Sequence, residues 1–195
     1  MEPGKRLSLV PHSPAPEPPG LESRSDDELM LLARGGIDDA FRTLIQRHQR
    51  RALRIASRYL GDDVLAADVA QNAFVEIFRA LGRYQARGRF EPYLYRVILN
   101  QCHMLRRAAR TELSVVRELS ASTDEAAVLL RERDRDLQAA LSRLSPKLRS
   151  VVVLRYGADQ SYGEIAETLQ IPSGTVKRRL FDAMDKLRVM LGGVP

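Results

Sequence analysis

The chain has 195 residues, a formal net charge of +6 and a sequence pI of about 9.8. That length suits one large domain or two small ones, and the basic balance is compatible with a polyanionic partner. A lone cysteine, Cys102, excludes an internal disulfide framework and suits a reducing cytosol. No run approaches the ~18 apolar residues of a membrane span, and the amino-terminal stretch lacks the apolar core of a secretory signal. A cytoplasmic protein without membrane insertion is therefore expected.

Residues 1–24 are rich in proline and polar groups, as in Pro14-Ala15-Pro16-Glu17-Pro18-Pro19-Gly20. Such a segment buries too little apolar surface to offset its ordering entropy, and it reads as a disordered tail. Ser25 and Glu28 then form an S-x-x-E capping box ahead of Leu29, Leu31 and Leu32, and Gly35-Gly36 ends that helix. A longer helix runs to about Leu60, with Phe41, Leu44, Ile45, Ile55, Ala56 and Tyr59 in register. Gly61-Asp62-Asp63 is a turn. A third helix runs to Leu81, with Ala67, Ala70, Phe74, Ile77, Phe78 and Leu81 expected inward. Gly82 to Phe90 is a loop, and Pro92 sits where a fourth helix can start. That helix carries Leu94, Val97, Ile98 and Leu105 and ends in Arg106, Arg107 and Arg110. Residues 111–133 turn polar and read as a linker. Helical patterning resumes at about Asp134 with Leu137, Leu141 and Leu144. Ser145-Pro146 opens the next helix, which holds Leu148, Val151, Val152 and Leu154. No period-two pattern persists anywhere. The expected fold is all-α: two small helical domains, 25–110 and 134–195, joined by a flexible tether.

The last segment carries the clearest chemistry. Ser161 and Glu164 form a second capping box, and Ile165, Ala166 and Leu169 share one side of the helix they open. Ile171-Pro172-Ser173-Gly174 breaks that helix, Pro by removing a donor and Gly by relaxing the backbone. A second helix from about Thr175 buries Val176, Leu180, Ala183, Leu187 and Met190. Lys177, Arg178, Phe181 and Asp182 fall away from that stripe, and Thr175 and Arg179 complete the candidate contact set. Duplex DNA accounts for a phenylalanine facing water among cations, since phosphates take the cations and a thymine methyl takes an apolar edge. A plain helical hairpin with a solvated face is the alternative.

Elsewhere, chemistry is sparse. His12 lies in the tail, and His48 sits on a helix among mostly charged neighbours. Adjacent Cys102 and His103 do not face one ligand. No zinc spacing, P-loop or dinucleotide fingerprint occurs, so neither metal nor cofactor is expected. Asp62-Asp63 and Asp134-Arg135-Asp136 read as caps and solvated surface. No catalytic residue is found, and the chain is not expected to be an enzyme. In the first domain, Tyr84, Phe90, Tyr93 and Tyr95 cluster with Arg87, Arg89, Arg96 and Asn100. This set either stacks unpaired bases or packs the helix start.

Two phrases in the first domain, Asp68-Val69-Ala70-Gln71-Asn72-Ala73-Phe74 and Phe90 through Asn100, resemble region 2 of an extracytoplasmic-function (ECF, group 4) sigma factor of bacterial RNA polymerase. Leu144-Ser145-Pro146-Lys147-Leu148-Arg149, Ser161 through Ala166 and Gly174 through Lys177 resemble region 4. The resemblance covers about residues 25–191 outside the linker, in matching order and spacing. It implies that Asp68, Gln71 and Asn72 on the third helix meet the clamp helices of core RNA polymerase. It implies that Tyr84, Gln85, Arg87, Phe90, Tyr93, Arg96 and Asn100 capture melted minus-ten DNA. Thr175, Lys177, Arg178, Arg179, Phe181 and Asp182 would read the minus-thirty-five duplex. An anti-sigma factor is left open as a further partner. Tyr93 stands where the family usually has tryptophan, Arg178 replaces a usual serine, and Asp182 and Met184 replace arginines. The alternative is a stand-alone helix-turn-helix regulator of duplex DNA.

Overall fold

The computed structural model describes residues 20–111 and 125–192, with side chains at 20–108 and 134–192. Most of the expected tail, residues 1–19, and the central part of the expected linker, residues 112–124, lie outside the described residues. Among those described there are α-helices and two short 3-10 turns and no strand, in line with the all-α expectation.

Four helices form the first unit: α1 (Asp26–Arg34), α2 (Asp38–Leu60), α3 (Asp63–Arg79) and α4 (Phe90–Thr111). The second holds α5 (Glu125–Arg143), α6 (Pro146–Gly157), α7 (Tyr162–Leu169) and α8 (Ser173–Met190). Helix starts follow local chemistry. Both capping boxes close: the Ser25 and Ser161 hydroxyls accept from the Glu28 and Glu164 amides, and each glutamate accepts the amide of its serine. The Asp62 carboxylate takes the Val64 and Leu65 amides at the start of α3. Ser145 stands at the α6 N-cap without a side-chain bond, and Pro146 occupies the first turn.

Several expectations change. Structure begins before Ser25: Leu21 is buried, and Arg47 donates to the Glu22 and Arg24 carbonyls, so residues 20–24 pack on α2. Helix α5 starts at Glu125, inside the expected linker. Ala67 and Phe78 face outward on α3, Phe78 being 48% exposed, and Leu105 and Met190 are exposed too. His48 is buried, its Nε2 2.8 Å from an Asp26 oxygen and its ring 5.1 Å from Phe90. In the α7–α8 turn, the left-handed residue is Gln170 (φ 53°), while Gly174 lies in the first turn of α8.

The two units pack together, α2 against α6 and α4 against α7. Arg149 of α6 lies at that contact. It is buried, donates to the Leu141, Ser142 and Leu144 carbonyls at the end of α5, and lies 5.1 Å from the Tyr59 ring of α2. Helix ends leave carbonyls unpaired, and a cation there is favourable. Burial still pushes its pKa down to about 10, and its Nη1 has no hydrogen-bond partner. His103 of α4 lies 3.2 Å from Ser150 of α6, and Arg89 pairs with Glu167 of α7 at 2.7 Å.

Candidate nucleic-acid and polymerase interfaces

The loop between α3 and α4 lines a cleft of 480 Å³. Tyr84, Gln85, Arg87, Tyr93 and Arg96 meet there with Arg83 and Arg89, opposite Glu167 and Gln170 of the second unit. Two rings build its floor: Tyr84 stands 5.9 Å from Tyr93, and the Arg96 guanidinium lies 5.9 Å from the Tyr93 ring. Cations over aromatic faces are the chemistry of single-stranded nucleic acid, since bases stack and phosphates pair. Tyr93, Arg96 and Asn100 follow one another at helical spacing along α4, and Asn100 is exposed beyond the cleft.

Phe90 departs from its assigned role. It is 2% exposed, beneath Tyr84 and His48, so it supports the loop and offers no ring face to a ligand. The Tyr84 hydroxyl is also engaged, donating to Asp27 at 2.5 Å, and burial together with that carboxylate raises its pKa. Tyr95, fully buried, donates to Glu91 at 2.8 Å. Asp27, Glu167 and Gln170 escaped the sequence reading, because only tertiary packing brings them to this loop; Arg83, next to Tyr84 in the chain, was passed over.

On α8, Val176, Leu180, Ala183 and Leu187 are buried, which turns Lys177, Arg178, Phe181 and Asp182 outward. Phe181 is 74% exposed. Arg178 and Asp182 approach to 3.9 Å at the surface, a loose pair that contributes little to stability. Thr175 and Arg179 flank the face, half-buried. Helix α7 holds α8 from behind through Ile165 and Thr168, both buried. A rigid helix with cations and one aromatic on its open face is suited to a major groove.

The outer side of α3 has a different chemistry. Asp68, Gln71 and Asn72 are all exposed, on a crest between two apolar grooves. One, of 660 Å³, runs between α2 and α3 past Phe41, Ile45, Leu53, Phe74 and Phe78, with Gln71 on its rim. The other, of 520 Å³, runs between α3 and α4 past Leu65, Val75, Met104 and Leu105, with Asp68 and Asn72 on its rim. A contiguous apolar surface rimmed by polar groups is the mark of a protein-binding face.

The described residues hold no group of acidic, cysteine and histidine side chains arranged for a metal ion. Cys102 is fully buried, and burial pushes its thiol up to about 12, far from a reactive thiolate. No described helix is long and apolar enough to cross a membrane.

Comparison with known proteins places the chain in one family. The family model for sigma-70 region 2 matches residues 44–111, and that for sigma-70 region 4 matches residues 140–189. The RNA polymerase sigma-H factor of Pseudomonas aeruginosa is 30% identical, covering 86% of this chain and 94% of its own length. The sigma factor CarQ of Myxococcus xanthus is 33% identical, covering 82% and 93%. Among solved structures, that of CnrH in complex with the cytosolic domain of CnrY matches with a TM-score of 0.69 at 26% identity, over 88% of this chain and all of the matched chain. The region 2 match separates the chain from a stand-alone helix-turn-helix regulator, whose first domain would have no reason to carry it. With relatives such as the ECF sigma-E factor of Escherichia coli, 29% identical over 85% of this chain and 94% of its own length, the chain belongs to the extracytoplasmic-function sigma factors, which direct RNA polymerase to promoters.

Proposed function

We propose that the three faces divide the work of initiation in the cytoplasm. The crest of Asp68, Gln71 and Asn72, with its apolar grooves, holds the first unit on core RNA polymerase. The cleft of Tyr84, Gln85, Arg87, Tyr93 and Arg96, with Asn100 beyond it, takes a base of the melted minus-ten strand. The open face of α8 reads the minus-thirty-five duplex through Thr175, Lys177, Arg178, Arg179, Phe181 and Asp182. Duplex contacts place the enzyme, and base capture offsets the few kcal/mol that unstacking costs. The working domains are residues 25–110 and 134–195, extended by residues 20–24 packed on α2 and by the start of α5 at Glu125. An anti-sigma factor is proposed as a partner beside the polymerase, given that CnrH is solved in complex with the cytosolic domain of CnrY.

The observation that carries this reading is one chain with two unlike nucleic-acid faces. One is an aromatic–arginine cleft suited to single strands, and the other a cationic helix suited to a duplex. The test is permanganate footprinting of holoenzyme on its promoter. Tyr84→Ala and Asn100→Ala are expected to retain closed complexes and lose reactive thymines, since stacking contributes roughly 1–3 kcal/mol per base. Normal reactivity in both variants would return these residues to packing.

A further inference from the structure

We infer that Asp27 is the positioning residue of the base-capture loop: it fixes the shape of residues 84–89 and thereby sets how readily the promoter opens. The inference rests on the proposed role of that loop. The loop cannot hold itself. Gln85, Ala86, Arg87, Gly88 and Arg89 are all exposed, and only Tyr84 is partly buried, so little apolar burial fixes the backbone. Two bonds converge on one carboxylate instead. The Tyr84 hydroxyl donates to Oδ1 of Asp27 at 2.5 Å, and the Gly88 amide donates to Oδ2. They tie the two ends of the loop to a residue 57 and 61 positions away in sequence. Gly88 has a left-handed backbone (φ +68°), which suits the turn that aims its amide at the carboxylate.

The anchor itself is rigid. Asp27 lies in the first turn of α1, where the Ser25–Glu28 capping box fixes the backbone and Leu29 and Met30 are fully buried. A loop held on such a floor meets its ligand preformed, so ordering entropy is not lost on binding. The same bond defines what Tyr84 does. With its hydroxyl committed to Asp27, Tyr84 offers a ring face and no donor to a base edge. It is a platform that accepts any base, which leaves Gln85 and Asn100 as the polar groups able to discriminate.

Charge gives this inference a sign that can be tested. A carboxylate beneath a loop that binds a polyanion is repulsive, so a bystander Asp27 would hinder DNA. Asp27→Asn removes the charge, keeps the shape and retains an oxygen for Tyr84, but turns an amide toward the Gly88 N–H. If Asp27 positions the loop, holoenzyme carrying Asp27→Asn should bind non-specific duplex at least as tightly as wild type. It should also open promoter DNA about tenfold more slowly, the scale of one lost hydrogen bond to a charged group. In the full-length factor, hydrogen exchange at the Gly88 amide should accelerate at least about tenfold, with Leu29 and Met30 unchanged. Asp27→Ala should go further, and if it fails to fold the Asn variant decides. Opening at or above the wild-type rate in Asp27→Asn, while Tyr84→Ala is defective, would overturn the role of Asp27 alone. Unimpaired opening in Tyr84→Ala and Asn100→Ala would overturn the base-capture reading and the inference with it.

Discussion

Replacing Phe181 with alanine separates folding from DNA recognition more cleanly than any other change on α8. Its side chain is 74% exposed, so folding covers only about a quarter of a surface of about 200 Å². At about 25 cal/mol per Å², the loss is near 1 kcal/mol, an upper bound because the unfolded chain also hides apolar area. Alanine is the better helix former and returns about 0.5 kcal/mol. The net change is about 0.5 kcal/mol, or 1–2 °C in Tm for a chain of this size. Leu187→Ala, on the buried side of the same helix, should instead cost about 2–5 kcal/mol and lower Tm by roughly 5–15 °C. Binding should show the opposite order. Covering half of the exposed ring, about 75 Å², against a base edge is worth about 2 kcal/mol at about 25 cal/mol per Å², so Phe181→Ala should weaken holoenzyme binding to its promoter roughly thirtyfold. Circular dichroism melting and filter binding at fixed salt measure the two quantities. A Tm drop beyond about 5 °C, or unchanged promoter binding, would refute the assignment of Phe181 to a DNA-facing surface.

Two further outcomes follow from the packing. Arg149→Ala removes a donor from three carbonyls at the end of α5; Ser142 keeps Arg106 and Leu141 keeps the Leu144 amide, so the Leu144 carbonyl loses most, at about 1–3 kcal/mol. It also takes the guanidinium away from the Tyr59 ring, so a net loss of about 2 kcal/mol and 4–8 °C in Tm is expected by thermal melting. Changing Asp68 and Gln71 together to alanine should leave Tm within about 2 °C, since both are exposed, while pull-down of core polymerase falls; undiminished pull-down would remove them from the docking face.

Local chemistry was legible wherever one residue settled a backbone choice. Ser25, Asp62 and Ser161 announced helix starts, and all three cap as their side chains require. The buried stripe of α8 was legible because its apolar residues recur at one spacing, up to Met190, where the helix runs out of partners. Helix α3 was harder. Val64, Leu65, Ala67, Val75 and Phe78 are apolar and exposed beside a buried face that is also apolar. Periodicity cannot choose a face on a helix that is apolar nearly all round, and its surplus apolar side lines the two grooves. His48 was misread, and Phe90 was left between stacking and packing the helix start, although their spacing held the answer. Phe90 precedes Leu94 and Val97 on one stripe, and His48 stands between Leu44 and Ala52 on another; their residue types obscured that register. Asp27 beneath the loop, Glu167 against Arg89 and buried Arg149 leave no local mark, because each depends on a partner that only the folded chain brings near.

The most direct test of the central claim is run-off transcription with purified bacterial core RNA polymerase on a genomic promoter pool. Core enzyme with this protein is predicted to yield discrete transcripts that core enzyme alone does not make, and free protein should bind duplex DNA only weakly, because each unit offers a modest surface and the polymerase must hold both. Nanomolar, sequence-specific duplex binding by the free protein at physiological salt, with no discrete transcript when core enzyme is added, would contradict the account.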